Sequence, residues 1–244
     1  MAENKVTLIG YYGGDKTHCL SAWQSTGIEF DYTKSINSRV DLLFSETVKT
    51  KQKTPQELLK MLANEGHHTP FEKSLLHFQV TGDLATHIHC VKHRIGVSVN
   101  SESARYKELE DKWYIPDDWD VLIERSFPYS EGREFVDDNQ CDTWNEALTA
   151  YVVLGHQLYH AAVAQLTPVL GRKRAKESAR YFLPYAKQLD FDVQFNFRSF
   201  IHFQGLRNTE HAQKEVHAIA QSMLEQVKAI PGNPFKYSLE AFGY

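Results

Sequence analysis

Three short segments of the chain carry side chains whose types and spacing could perform chemistry. The first runs from His67 to Glu72 and offers an imidazole, a hydroxyl and a carboxylate beside Pro70. It lies between a predicted helix and a predicted strand, where a loop can present such groups to a ligand. His, Thr and Pro are also common in turns, so a turn after the glycine of a helix end explains the segment too.

The second segment, Lys92–Tyr106, places three cationic or potentially cationic residues before a run of hydroxyl-bearing residues and a further arginine. Serine hydroxyls, free backbone N–H groups and a two-pronged arginine contact together suit a phosphate. We therefore predict an anion site around Ser98–Arg105. The alternative is a basic helix C-terminus favoured by the helix dipole and followed by a capped loop.

The third segment is Asn196–Ser199, which is followed by His202, Arg207, His211 and Gln213. Arg198 and His202 are four residues apart and therefore share one face of the helix predicted there. Such a face could bind a ligand, and the alternative is an ordinary polar helix surface.

The hydrophobic pattern predicts the elements that position these segments. Period-two alternation predicts strands, and apolar residues at helical spacing with capping residues predict helices. A loop or a helix entry is expected over 98–105. An ordered, loop-rich excursion with short helical pieces is expected over about 107–142, which holds twelve Asp and Glu against four Lys and Arg. The predicted strands are 5–12, 74–82 and 189–197, and the predicted helices are 54–66, 84–94, 143–166, 172–183, 199–206 and 209–229.

Together these elements predict one α+β domain that spans 1–244, with a central mixed or antiparallel sheet flanked by long helices. The net charge of −4 argues against a large electrostatic surface for DNA or RNA. No apolar run approaches the roughly 20 residues of a membrane span, and no signal peptide is visible. Three cysteines without a CxxC spacing fit reduced thiols. We expect a cytoplasmic protein, or one in the host cytoplasm if a virus encodes it, without nucleic-acid or membrane partners.

In chain order, these segments resemble the motifs of one family, the flavin-dependent thymidylate synthases. The family's H-x-T-P-F-E matches 67–72, and its R-H-R, short spacer and S-x-N-x-x-S-x-R-Y match 92–106. Its N-x-R-S and L-R-x-x-x-H-A-Q match 196–199 and 206–213, and 21–26 is similar to its early segment. Four motifs in the family's order make the resemblance specific and extend it over nearly the whole chain.

The chain departs from the family pattern at three places. Lys92 stands for the first arginine of R-H-R, which removes one two-pronged phosphate contact. The spacer Ile95–Val97 is one residue longer than in the usual form, and Lys73 stands where the family commonly has a histidine.

The resemblance implies the fold and the chemistry of that family. The implied reaction is the reductive methylation of dUMP to dTMP with FAD as cofactor and with NADPH and 5,10-methylenetetrahydrofolate as co-substrates. The resemblance further implies that no cysteine acts as a nucleophile, that no metal takes part, and that the protein is a homotetramer with sites at subunit interfaces.

The resemblance also carries roles over residue by residue. Arg207 would stabilise charge on the uracil ring, Ser103 would lie near the reacting base as a binding group, and His67 is a candidate for folate or hydride-donor access; these are the three catalytic positions. The implied cofactor contacts are Thr69, Glu72, Lys92, His93, Arg94, Ile95, Asn196, Arg198, His202 and His211. The implied substrate contacts are His89, Ser101, Glu102, Ser103, Ala104, Arg105, Arg180 and Arg207.

Two other functions stay open at this point. A zinc-dependent hydrolase is suggested by His87, His89, Cys90 and His93, because His and Cys are zinc ligands, although no H-E-x-x-H is present. A non-catalytic nucleotide-binding regulator would use the same arginine and serine loop without a flavin.

Overall fold

The computed structural model describes residues 3–27 and 36–244, with the side chains of 3–27 and 40–244. Within these residues it has four strands, ten α-helices and three short 3-10 helices. The strands are β1 (Lys5–Tyr12), β2 (Leu75–Asp83), β3 (Val97–Ser101) and β4 (Gln188–Asn196). The α-helices are α1 (Asp15–Gln24), α2 (Ile36–Val48), α3 (Pro55–Asn64), α4 (Leu84–Val91), α5 (Ser130–Asp138), α6 (Trp144–Leu170), α7 (Arg172–Ala179), α8 (Phe197–Arg207), α9 (Lys214–Lys228) and α10 (Lys236–Ala241). The 3-10 helices are Thr69–Glu72, Asp117–Trp119 and Arg180–Phe182.

The four strands form one antiparallel sheet in the order β1-β2-β4-β3. In β2 the alternating residues Leu76, Phe78 and Val80 are fully buried, as the period-two pattern predicts. The α+β class is confirmed, and of the open choice between a mixed and an antiparallel sheet the structure has the antiparallel one. Among residues 3–27 and 36–244, the structure has no helix long and apolar enough to cross a membrane.

Two helices begin where capping residues predict. Thr54 accepts a hydrogen bond from the Glu57 backbone N–H, and the Glu57 side chain accepts from the Thr54 backbone N–H. Thr143 and Glu146 make the same reciprocal pair at the start of α6. Each pair satisfies backbone donors that the first helical turn leaves without a partner.

The prediction of a loop or a helix entry over 98–105 is wrong for 98–101, because β3 occupies Val97–Ser101. Its polar residues Ser98, Asn100 and Ser101 alternate with two valines, and its backbone pairs with β4. Just before β3, the Gly96 carbonyl accepts the Asn196 backbone N–H at 2.9 Å. The helix predicted over 84–94 ends at Val91, so Lys92, His93 and Arg94 lie in a turn beyond it.

The bounds of three other helices differ from those predicted from the sequence. The helix predicted over 172–183 is α7 followed by a 3-10 helix, and the one predicted over 209–229 begins only at Lys214. α8 starts two residues earlier than predicted because Asn196 caps it, with its side-chain oxygen 2.8 Å from the Ser199 backbone nitrogen. The sequence analysis did not predict α1, α2 or α10.

The acidic region 107–142 is ordered and contains short helical pieces, as predicted. It holds the 3-10 helix Asp117–Trp119 and the helix α5. Ile123, Val136 and Cys141 are buried in a small apolar cluster together with Ala147 of α6. Apolar residues spaced through an acidic stretch thus provide enough burial for local order.

The described contacts divide the chain into two compact units. Unit 1 comprises 1–5, 81–88 and 101–191, and unit 2 comprises 6–80, 89–100 and 192–244. That the whole chain acts as one domain stays a prediction.

Unit 2 contains a fully buried polar chain that begins at His18 of α1. The His18 ring nitrogens lie 2.8 Å from Ser238 Oγ and 2.7 Å from Ser74 Oγ. Ser238 in turn donates its hydroxyl to Asp15, whose two carboxylate oxygens also accept the backbone N–H groups of Tyr237 and Ser238. Because Ser238 donates to Asp15, it accepts from His18, which fixes the imidazole with its proton on Nδ1 and leaves Nε2 to accept from Ser74.

Candidate active site

The first and third motif segments meet in unit 2 through an ion pair. Arg198, in the first turn of α8, donates to the Glu72 carboxylate at 2.7 Å. Glu72 ends a 3-10 helix that is anchored by Phe71, whose side chain is completely buried. The buried ring therefore holds this carboxylate in place beside Arg198.

The second segment packs on the start of α8. Ser199 donates its hydroxyl to the Ile95 carbonyl at 2.6 Å, and Gly96 follows with a backbone φ of +65°. A methyl group added at Gly96 would lie 2.5 Å from Ser199 Oγ and would overlap the Asn196 amide. Glycine is therefore required here both by its conformation and by the close approach of the loop to α8.

Arg207, at the end of α8, donates its Nε–H to His93 Nε2 at 3.1 Å. Burial, followed by the positive charge of Arg207, lowers the pKa of His93 to about 4. His93 is therefore neutral at physiological pH and accepts this hydrogen bond. The edge of its ring meets Phe203, with 5.0 Å between ring centroids, so α8 fixes both partners.

A cavity of about 430 Å³ opens beside these contacts within unit 2. Arg198 and His202 both line it, as their shared helix face predicts. The other lining residues are His68, Ile95, Ser199, Ile201 and Phe242. The cavity thus receives side chains from all three motif segments.

His89 connects the last turn of α4 to the turn before α9. Its Nε2 lies 3.2 Å from the side-chain oxygen of Gln213. Its Nδ1 is buried, and none of the described residues is its hydrogen-bond partner. A buried polar nitrogen without a protein partner is a place where a bound group can supply one.

Eight of the predicted site residues of unit 2 are exposed, and five of them lie outside the contacts between motif segments and outside the cavity. His67 forms a 3.6 Å ion pair with Glu65, and Thr69 begins the 3-10 helix with its side chain exposed. Lys92 and Arg94 flank His93 and are exposed, as is His211 in the turn before α9. The structure therefore brings Glu72, Arg198, His93 and Arg207 into paired contacts and leaves these five at the surface.

The substrate segment, which we define as Ser101–Arg105, belongs to unit 1. Ser101 Oγ lies 2.6 Å from His87 Nε2, and Glu102 pairs with Lys107 at 2.5 Å. Ser103 accepts a 3.3 Å hydrogen bond from the Arg105 backbone N–H. The Arg105 side chain makes none of these contacts and is exposed.

Arg105 and Arg180 each follow a buried alanine of the same apolar cluster. Ala104 and Ala179 pack together with Leu109, Tyr159 and Val163. Both arginines are exposed. One apolar cluster therefore holds the backbone next to both Arg105 and Arg180, which are implied substrate contacts.

Several contributors were missed by sequence reasoning. His68 and Phe242 line the cavity, and Phe203 supports His93. Gln213 was matched to the family motif without a role, yet it contacts His89. His68 lies inside a motif and Phe203 follows His202, whereas no sequence signal marks Phe242.

The histidines that a zinc site would need contact three different partners. His87 contacts Ser101, His89 contacts Gln213, and His93 accepts from Arg207. Among the residues that the structure describes, no group of three or more His, Cys, Asp and Glu is placed to hold a metal ion.

Comparison with known proteins identifies the family. The family model Thy1, described as thymidylate synthase complementing protein, matches residues 7–231. The chain belongs to this family. Curated relatives bear the name flavin-dependent thymidylate synthase, and the chain is an enzyme of that family.

Three relatives show the extent of the similarity. The protein of Streptomyces avermitilis is 29% identical over 194 residues, which are 78% of this chain and 75% of that protein. The protein of Streptomyces coelicolor is 29% identical over 217 residues, or 81% of this chain and 82% of that protein. The protein of Gluconobacter oxydans is 31% identical over 172 residues, or 70% of this chain and 55% of that protein.

Solved structures confirm the fold. A UMP/dUMP methylase from Streptomyces cacaoi bound with 5-Br UMP matches with a TM-score of 0.64 and 22% identity, covering 100% of this chain and 96% of that chain. The same protein bound with 5-Br dUMP matches with a TM-score of 0.66 and 22% identity, covering 99% and 95%. At this level of identity the likeness concerns the fold alone.

Proposed function

We propose that this member of the Thy1 family converts dUMP to dTMP by FAD-dependent reductive methylation. The methylene group would come from 5,10-methylenetetrahydrofolate and the electrons from NADPH. The observation that carries the proposal is the pairing of motif segments that are far apart in sequence: Glu72 with Arg198, and His93 with Arg207. The side chains of these pairs, which the resemblance assigns to flavin and substrate, lie on or beside α8.

The residues of unit 2 fit a flavin. The cavity of about 430 Å³ is within the usual size of a ligand pocket and combines apolar walls with Arg198 and His202. His89, an implied substrate contact outside this cavity, has a buried Nδ1 without a partner among the described residues. When bound, the flavin supplies the hydride for the uracil ring, and the protein supplies position and charge.

Arg207 is proposed to stabilise the charge that develops on the uracil ring. Its Nε–H is committed to His93, so the guanidinium plane is fixed and the terminal nitrogens remain for a ligand. A donor that is already oriented loses no free energy to reorganisation during the reaction. His93 can play this part only as the neutral imidazole, which is the form its lowered pKa favours.

Unit 1 is proposed to bind the nucleotide phosphate. Arg105 and Arg180 are exposed cations that follow buried residues of one cluster. Arginine binds phosphate oxygens through two parallel N–H groups, so two such residues suit a phosphate dianion. Ser103 is proposed as a binding group of the same segment.

The proposed enzyme is a homotetramer with sites shared between subunits. On α6 the large apolar side chains of Tyr151, Leu154 and Leu158 are 51%, 40% and 41% exposed. They recur at helical spacing and form a solvent-facing stripe of the kind that subunit interfaces cover. Leu154→Glu should therefore yield a smaller species by size-exclusion chromatography with light scattering, whereas Gln221→Glu on α9 should not.

Sharing of sites can be tested by mixing two inactive variants. Arg105→Ala removes a proposed phosphate contact, and Arg198→Ala removes a proposed flavin contact. If one site takes residues from two subunits, co-refolded mixtures recover part of the activity. Full activity of a strictly monomeric protein would contradict the proposal.

The decisive experiment is tritium release from [5-³H]dUMP in the presence of FAD, NADPH and methylenetetrahydrofolate. Release together with dTMP formation is expected, and omission of either FAD or the folate should abolish dTMP. A purified protein that binds dUMP but holds no flavin would instead be a nucleotide-binding regulator. Activity that depends on added zinc would indicate the hydrolase.

A further inference from the structure

The six residues that follow the substrate segment, Tyr106–Asp111, are fastened to α6 and α7 within unit 1. Lys176, a buried lysine of α7, donates to the Tyr106 carbonyl at 3.1 Å. Tyr159 of α6, which is completely buried, accepts the Leu109 backbone N–H at 3.1 Å. We call Tyr106–Asp111 the anchor segment, because each of these contacts ties it to a helix.

His160 adds the charged part of this attachment. Its Nδ1 lies 2.9 Å from Glu108 and its Nε2 lies 2.8 Å from Asp111, so one imidazole spans two carboxylates of the anchor segment. Arg172, at the start of α7, also contacts Glu108 at 3.1 Å. Both ring nitrogens can donate to carboxylates only in the imidazolium form.

We propose that His160 is a positioning residue for the substrate, acting as a cationic clamp on Glu108 and Asp111 that sets the backbone beside Arg105. This inference rests on the proposed binding of a nucleotide phosphate by Arg105 and Arg180. The anchor segment follows Arg105 directly, and the Arg105 guanidinium stands 5.4 Å from the centre of the Tyr106 ring. A fixed anchor segment therefore limits the positions that Arg105 can take.

The titratable and charged groups that face His160 come from three elements. Glu108 and Asp111 approach from the anchor segment, and Arg172 approaches from α7 through Glu108. Its neighbour Tyr159 on α6 places its ring 5.1 Å away and is uncharged at neutral pH. The hydrogen bonds that His160 donates to Asp111 and then to Glu108 outweigh burial and raise the pKa of His160. The clamp is therefore complete below this raised pKa and weakens as the pH rises through it.

The test is dUMP binding to the FAD-loaded protein by calorimetry, at about pH 6.5, where the raised pKa keeps His160 protonated, and at an alkaline pH above that titration. His160→Gln should weaken dUMP binding roughly fivefold relative to wild type at the lower pH, the effect expected from two partly exposed ion pairs. The ratio of the two dissociation constants should approach one at the higher pH. This ratio cancels the titration of the dUMP phosphate, which is common to both proteins.

Two further variants separate charge from structure. His160→Arg keeps a permanent cation and should bind dUMP as tightly as wild type at the lower pH and more tightly than wild type at the higher pH. The matched control is His77→Gln, because His77 also pairs with a carboxylate, Asp192, and has a side-chain exposure of 39% against 40% for His160. It should leave dUMP affinity unchanged.

The outcomes are distinct. Equal affinity of wild type and His160→Gln at the lower pH would overturn the proposal, as would a loss of the same size at both pH values. A wild-type protein that binds FAD but binds no dUMP at either pH would contradict the proposed function instead. Hydrogen exchange of 101–111 should be several-fold faster in His160→Gln than in wild type, and unchanged exchange would also count against the clamp.

Discussion

Arg207 combines one fixed hydrogen bond with terminal nitrogens that remain for a ligand. Arg207→Ala should therefore lower turnover by about 10²–10³-fold while FAD affinity changes little, because a preoriented charge acts mainly on the transition state. Tritium release measures the first quantity and flavin titration the second. Arg174→Ala, which removes an exposed arginine that pairs with Glu177 within α7, serves as the control. Near-normal turnover would remove Arg207 from the mechanism.

The three cysteines are all buried. Burial and the nearby Asp15 raise the pKa of Cys19 to about 12, and burial raises the pKa of Cys141. Cys90 lies in α4, which ends at Val91, so His93 is not on the same helix. A nucleophilic thiol needs access and a lowered pKa. None of the three meets both requirements.

The triple variant Cys19→Ser, Cys90→Ala, Cys141→Ser should therefore keep most dTMP formation, with some loss of stability from the new small cavity and hydroxyls. Activity should be compared at a temperature where circular dichroism shows the variant to be folded. A folded, FAD-loaded variant without dTMP formation would point to a thiol mechanism, and Cys90 would then be tested alone.

At the scale of elements, the crossing of the 95–96 turn over the start of α8 should be sensitive to a single methyl group. Gly96→Ala should weaken FAD binding roughly tenfold, because overlap with Ser199 and Asn196 costs about 1–3 kcal/mol. Gly66 is the matched control, since it has a φ of +74° and open space around it. Gly66→Ala should cost about 1 kcal/mol of unfolding free energy, from backbone strain alone. Equal FAD affinity in both variants would contradict the role given to this crossing.

The elements that could be predicted are those whose signals are local. The alternation of Leu76, Phe78 and Val80 and the capping pair of Thr54 and Glu57 depend on neighbouring residues, and both were correct. β3 was missed because it has only five residues, of which Val97 and Val99 alone are apolar, and its strand is defined by pairing with β4. Strand preference depends strongly on such tertiary context.

The same distinction holds for the candidate site. The order of the motifs along the chain was enough to select Glu72, Arg198 and Arg207 as candidate site residues, because a family motif is a pattern of neighbouring residues. It could not predict that Arg207 would be bound by His93, or that His68 and Phe242 would line the cavity. These contacts join residues far apart in the chain, and no local spacing encodes them.

At the scale of the whole molecule, the buried chain through His18 links the stability of unit 2 to pH. Burial lowers the pKa of His18 from 6.5 to about 3. The unfolded chain therefore binds a proton first as the pH falls, and the folded state loses stability from about pH 6.5 down to about pH 3. The loss of stability that comes from His18 should therefore begin near pH 6.5, above the ordinary pKa of a carboxylate.

His18→Phe should cost about 2–4 kcal/mol of unfolding free energy at pH 7.5, because it leaves the hydroxyls of Ser74 and Ser238 without their partner. The difference from wild type should shrink at pH 5, since the variant lacks the proton-linked loss. Urea unfolding at one protein concentration measures both values. A difference that stays constant or grows towards low pH would show that His18 is not held neutral.

The direction of that buried chain also gives His18 a spectroscopic signature. Its ring proton sits on Nδ1, is donated to Ser238 and is shielded from solvent, since His18 is 0% exposed. A proton in such a position exchanges with water only when the surrounding structure opens. In a nitrogen-labelled sample, one imidazole N–H resonance should therefore survive transfer into heavy water long after those of surface histidines have vanished. Its rate of disappearance would report the opening of the contact between α1 and α10 in the intact protein.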